Sequence, residues 1–384
     1  SRRRRLPSCT RVAFLATCGG AAVALTASAW PLSSRFRHGF QRYYGTGLTR
    51  VPSPMSSLAA VAASTIMGLR GFSRGGTCAA AQADTRTAVD PECARILKEA
   101  ETNDEDIQSL RTFLGDFHEI PVVYPNPRPT PGAEPLLYGR AMWSDVTYDG
   151  RLFIPEEKRP IVFLVHAAPG QQEDHVTWKL KSLAARGYVA FAVDMLGTQH
   201  AVWDGAAGKA LRAPIYEDRT IMIDRFTAAW KAAEGMLGAA DLSRAAAIGF
   251  CFGGMVVLDA VRSGNYPALR AAVSFHGVLD APELYDPAHH RVQHNAAHPC
   301  KVMAFHGMAD PFVPPEKLEQ FKQQMQGLGI DCTVVEYPGV GHAFTRPEKI
   351  KKSDFEAGFG WDEHAASDSW TKTKTLFRVV FGEA

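Results

Sequence analysis

The chain has 384 residues, with 42 Lys and Arg against 40 Asp and Glu, a net charge of +2. That length carries one large domain plus an extension, and a near-balanced charge with no basic tract in the body argues against nucleic acid as a partner. Seven cysteines, scattered without Cys-x-x-Cys spacing, indicate neither a disulfide framework nor a zinc site, and neither metal nor cofactor is expected.

The N-terminal stretch differs from the rest. No Asp or Glu precedes Asp84, and arginine is frequent there. Arg2 to Arg5 form a basic cluster, Val12 to Ala29 a small and apolar run, and Ala27-Ser28-Ala29 a small-residue cleavage site. That is the plan of a signal peptide. Pro31 to Arg74, rich in Ser, Arg and aromatics, resembles a transit peptide. Signal followed by transit points to a plastid. The alternatives are a mitochondrion, the secretory pathway, or the cytoplasm with Met55 as the start. Residues 1–84 therefore read as a targeting extension, disordered or cleaved. Gly19, Gly20 and the threonines dilute the apolar run, so no stable membrane insertion of the mature protein is expected.

Residues 85–135 read as a short helical segment, with one or two helices in Glu92 to Phe117, and then a proline-rich linker over Val122 to Pro135. The folded domain is expected from 136 to 384. Val146-Thr147-Tyr148 and Leu152-Phe153-Ile154, around Asp149-Gly150-Arg151, read as a hairpin. Ile161 to Val165 is a central strand, Glu173 to Arg186 a helix closed by Gly187, and Val189 to Val193 the next strand. Glu217 to Leu237 reads as a long helix. After it come a strand over Ala245 to Ile248, the turn Gly249-Phe250-Cys251-Phe252-Gly253-Gly254, and a helix from Met255 to Val261. Ala271 to Phe275 and Val302 to Gly307 are strands, Glu316 to Gly327 a helix, and Thr333 to Tyr337 a strand. Such alternation specifies an α/β fold with a mainly parallel sheet and helices on both faces. His289, His290, His294 and His298 read as a solvated loop, with no helical i, i+4 pair and no carboxylate nearby.

The turn at Cys251 carries the chemistry. Strand, Gly-x-nucleophile-x-Gly and helix form a nucleophile elbow, with cysteine where serine is more usual. The glycines admit closely packed backbone, and the helix N-terminus favours a thiolate and later an oxyanion. In the α/β-hydrolase fold the chain order is nucleophile, acid, histidine. Asp310 follows the strand ending at Gly307, and His342 lies in the loop after Tyr337. Cys251 is thus read as nucleophile, His342 as base and Asp310 as its orienter, with His306 and His276 as competitors for the base. The oxyanion donors expected are the N–H groups of Phe252 and Ala168.

These blocks resemble the dienelactone hydrolases from about Trp143 to the C-terminus. The matching parts are the Gly-Phe-Cys-Phe-Gly-Gly elbow, Val273-Ser274-Phe275-His276-Gly277, His306 through Pro314, Gly341-His342-Ala343-Phe344, and the tail from Trp361 to Phe377. The resemblance implies hydrolysis of a small-molecule ester or lactone through a thioester acyl-enzyme, without metal, by a monomer or homodimer. Two readings compete with it: a catalytically weak binding protein on the same fold, and a redox-sensing thiol protein. One departure stands out. Many relatives have a glutamate that controls the thiol where this chain has Ala167, in His166-Ala167-Ala168-Pro169-Gly170; Glu173 and Asp174 are the nearest substitutes. Arg346 lies four residues after His342, as an arginine does in relatives that bind a carboxylate-bearing lactone. It is expected to meet a substrate anion, with Arg219 or Arg225 as a second basic group.

Overall fold

The computed structural model describes residues 90–382 except 155 and 294, together with two strands in the N-terminal region. Those strands, β1 (Ala13–Cys18) and β2 (Ala21–Thr26), pair antiparallel in a unit spanning residues 1–79. The remainder of the expected leader lies outside the described residues. Among the described residues no helix is long and apolar enough to cross a membrane.

The second unit is built on an eight-stranded sheet. Its strands are β3 (His118–Pro125), β4 (Leu136–Trp143), β5 (Arg159–Val165), β6 (Val189–Val193), β7 (Ala240–Phe250), β8 (Leu269–Phe275), β9 (Lys301–Gly307) and β10 (Asp331–Tyr337). The spatial order is β10-β9-β8-β7-β5-β6-β4-β3. From β6 to β10 every pairing is parallel; β4 alone runs against its neighbours. The helices are α1 (Pro91–Asn103), α2 (Glu105–Thr112), α3 (Asp174–Ala185), α4 (Gly205–Glu217), α5 (Thr220–Met236), α6 (Phe252–Ser263), α7 (Pro315–Gly327), α8 (Lys352–Glu356) and α9 (Glu363–Phe381).

The central strands are fully buried, which is why they read as apolar runs rather than alternating ones. Successive side chains still leave opposite faces. Ile161, Phe163 and Val165 of β5 pack into one core with Phe226 of α5 and Val257 of α6, where Phe163 stacks on Trp230 at 5.0 Å. Val162 and Leu164 enter the other core, which holds Leu180 of α3, Phe377 of α9 and the stacked pair Phe250 and Phe275 at 4.7 Å.

Three expectations change. The segment read as proline-rich linker overlaps the second half of β3, which pairs with β4 from His118↔Trp143 to Pro125↔Leu136. Prolines are tolerated there because β3 is the edge strand, where a missing N–H need not leave a partner unpaired. The helix read as Glu217 to Leu237 is two helices, α4 and α5, with Asp218 and Arg219 between them. The hairpin at 146–152 is reduced to one bridge, Val146↔Leu152, closed by Gly150 at φ +87°. Expected helices at α1 and α2 are present, and both open on aspartate caps, Asp90 and Asp104.

Candidate active site

Cys251, Asp310 and His342 each follow the C-terminal end of a parallel strand, β7, β9 and β10, so they gather at one edge of the sheet. Cys251 has φ +54° and ψ −114°, a backbone conformation that disfavours a side chain and is held by its surroundings. Its N–H donates to the Phe275 carbonyl of β8 at 3.0 Å, and its carbonyl accepts from Gly254 N–H at 3.0 Å. The flanking glycines have no alternative. A Cβ on Gly249 would stand 2.0 Å from the Gly253 carbonyl oxygen, and one on Gly253 would stand 2.2 Å from that of Val165.

Asp310 is tied to its own turn: its N–H donates to Gly307 O at 3.0 Å and its Oδ1 accepts from Phe312 N–H at 2.9 Å. Its Oδ2 bonds His342 Nδ1 at 2.7 Å. The backbone of His342 is clamped on both sides by Gly358 O and Gly360 N–H, at 2.8 and 3.0 Å. Phe312, Phe359 and His276 surround its ring, with centroids 4.9, 5.3 and 5.1 Å away. Nδ1–H donation to Asp310 leaves Nε2 as the free nitrogen, and Nε2 is buried with no hydrogen-bond partner of ordinary geometry.

The electrostatics couple this ring to the thiol. Burial pushes Cys251 up, but the facing His342 charge, the Phe252 backbone N–H and Arg212 outweigh it, and the thiol is lowered overall. Burial pushes His342 down, but the Cys251 charge and the Asp310 bond lift it to about 10. The competing histidines lack that partner. His276 donates to or accepts from Thr345 Oγ1 at 2.8 Å, and burial pushes it well below the usual range. Burial also lowers His306, and it is absent from the lining of the cavity at Cys251.

That cavity, about 310 Å³, is lined by Ala167, Ala168, Pro169, Trp203, Cys251, His276, His342 and Phe359 among others. Phe252 opens α6 directly after Cys251, so its N–H has no acceptor within the helix. Ala168 follows β5 across the cavity, and its carbonyl accepts from Arg212 at 2.7 Å. Among the described residues neither N–H has a backbone acceptor. Arg212 went unnoticed in the sequence because nothing local links α4 to the loop after β5.

The arginines differ from expectation. Arg346 lines the cavity, yet it is 5% exposed and bound to two carboxylates, Glu173 at 2.8 Å and Glu348 at 2.5 Å. It is not free for a substrate anion. Glu173 occupies the N-cap of α3 without capping it, because its carboxylate reaches Arg346 instead. Arg219 holds Asp259 at 2.7 Å and Asp280 at 2.6 Å, and Arg225 donates to the carbonyls of Met195 and Arg128 and to Thr130 Oγ1. Neither lines the cavity, and their charges are committed to internal partners.

The profile of the dienelactone hydrolase family matches residues 148–381. Among solved structures, the dienelactone hydrolase-like promiscuous phosphotriesterase P91 from metagenomic libraries is 29% identical, with a TM-score of 0.56 over 69% of this chain and 98% of that one. The structure named m3DLH is 25% identical, with a TM-score of 0.57 over the same shares. Protein usf of Aquifex pyrophilus is 28% identical over 227 residues, 55% of this chain and 87% of that protein.

Proposed function

The chain belongs to the dienelactone hydrolase family and is a hydrolase with the α/β-hydrolase fold; we propose that it cleaves an ester or lactone through a thioester on Cys251. The observation that carries this is a strained cysteine at a helix N-terminus that shares a cavity with a histidine whose far nitrogen is fixed by Asp310.

The steps follow from the charges. Cys251 thiolate attacks the carbonyl carbon, and the oxyanion rests on the N–H groups of Phe252 and Ala168. The tetrahedral adduct collapses, and the leaving alkoxide takes the proton from His342. Acylation removes the thiolate charge that raised His342, so the ring falls back toward neutral range and can accept a proton from water. The resulting hydroxide attacks the thioester, and Cys251 leaves as thiolate with the carboxylic acid released. Ala167 offers no carboxylate to hold the thiol protonated, and Glu173 is committed to Arg346.

The direct test uses a 4-nitrophenyl ester. A burst of nitrophenolate of about one equivalent should precede steady turnover, and acid quench should leave the acyl mass on the Cys251 peptide. Absence of that adduct, or its presence on another residue, would overturn the mechanism. The same experiment separates an enzyme from a binding protein. The redox reading has one observation behind it, since Cys93 lines the same cavity. Burial pushes the Cys93 thiol up, so the reactive thiolate of the two is Cys251.

Asp310→Asn should lower kcat about 10²- to 10⁴-fold. It should also move the acid limb of kcat/KM. A lowered thiol means activity rises with pH as Cys251 ionises and is lost as pH falls through that titration. Removing the Asp310 charge lowers His342, which in turn lets Cys251 rise, so the limb shifts to higher pH. An unmoved limb would detach Asp310 from the pair.

A further inference from the structure

We propose that the Cys251 cavity selects an uncharged, apolar ester or lactone, and that helix α1, which precedes the family-matched residues 148–381, is its specificity wall. This rests on the proposed ester hydrolysis and names its substrate class.

The charges at the cavity are already satisfied. Arg346 is held by Glu173 and Glu348, whose side chains are 0% and 3% exposed. Lys349 pairs with Asp354 at 3.3 Å, and Asp90 pairs with Lys351. Arg212 donates to the Ala168 carbonyl and does not line the cavity. A substrate carboxylate would have to displace one of two buried carboxylates from Arg346, or enter beside Glu348, Asp90 and the Cys251 thiolate, where among the described lining residues the remaining lysine, Lys349, is already paired with Asp354. The first route leaves a buried charge unpaired, and the second adds a negative charge beside three others with one ammonium to share among them. An uncharged substrate meets neither cost. What it does meet is apolar surface from Leu97, Ala167, Pro169, Trp203 and Phe359.

Leu97 belongs to α1 and is 2% exposed. The helix is fastened rather than loose. Glu101 accepts from Lys181 at 2.7 Å, and Asp104 at its C-terminus accepts from Trp178 Nε1 at 2.9 Å. Asp106 of the adjoining α2 accepts from both Nε and Nη2 of Arg186 at 2.7 Å. At the other end the Asp90–Lys351 pair ties it to the loop after His342. A wall fixed at both ends sets the length of acyl group that fits.

The test compares 4-nitrophenyl butanoate with the mono-4-nitrophenyl ester of succinic acid, which carries a carboxylate at the same chain length. The wild-type protein should favour the uncharged ester by about 100-fold in kcat/KM. Glu348→Gln, which loosens the hold on Arg346, should move the ratio toward the anionic ester by about tenfold. Leu97→Trp should depress the octanoate ester relative to the acetate by about tenfold, mainly through KM, and Leu97→Ala should move the optimum to longer chains. The alanine variant answers the question if the tryptophan one does not fold. Equal or better use of the anionic ester by the wild-type protein overturns the inference, as does a chain-length profile unmoved in the folded Leu97 variants. If neither ester is cleaved and Cys251 takes no acyl group, the ester-hydrolase reading itself fails and this inference fails with it. Cleavage with an anionic preference defeats this inference alone.

Discussion

Cys251→Ala should lower ester hydrolysis by at least about 10³-fold while the protein stays folded. The activity loss follows from the proposed chemistry. Without the sulfur there is no thioester, and only the two N–H donors and the binding surface remain to help a direct attack by water. The fold should survive for a local reason. The backbone at φ +54° is fixed by the bonds to Phe275 and Gly254, and alanine occupies it with no more bulk than cysteine. The side chain is only partly buried, so its removal opens little cavity. Steady-state rates with a chromogenic ester, read beside a thermal melt, decide the matter. A folded variant with unchanged turnover would remove Cys251 from the mechanism. Cys251→Ser should also be much slower than wild type, since a hydroxyl gives up its proton far less readily to His342 than a thiol does.

Gly249→Ala should be the most damaging added methyl among the described glycines. The added Cβ would lie 2.0 Å from the Gly253 carbonyl oxygen and 2.6 Å from Gly254 N, both backbone atoms at the start of α6. No rotamer change relieves a backbone clash; the start of the helix must move by more than an ångström. Neither side can give easily, because Gly253 is itself pressed against Val165 of β5. The usual gain of about 0.4–1 kcal/mol from restricting the unfolded chain is small beside such a cost, which we place at roughly 3–5 kcal/mol. Urea and thermal unfolding should both register it, with activity lost even in the folded fraction as Cys251 shifts. Gly205→Ala is the matching control. It lies at the start of α4 with no atom beyond its own neighbouring residues and helix backbone within 4 Å of the added methyl, and it should be neutral or slightly stabilising. Similar stability of the two variants would mean that the elbow yields more than its packing allows.

Sequence alone determined those features whose causes are local. The parallel sheet was legible because buried strands such as Ile161–Val165 and Val189–Val193 must be apolar throughout. Cys251 was legible because a strained turn between strand and helix needs glycines at fixed offsets. Asp310 and His342 were picked out as candidates by their order after strand ends, and the structure brings their side chains together at 2.7 Å. The family resemblance rested on the same blocks. The errors arose where partners are distant in the chain. Composition made Val122–Pro135 look like linker, since nothing local shows that an edge strand can afford its prolines. Arg346 looked free, since only the folded chain brings Glu173, 173 positions earlier, onto its guanidinium. Helix α1 showed no sign of a role at the site, because it meets the cavity only when its anchors to α3 place Leu97 and Cys93 there. A motif records the backbone its own residues need. Which charges are paired, and what closes a cavity, depends on which remote side chains share a volume, and tertiary packing alone decided that.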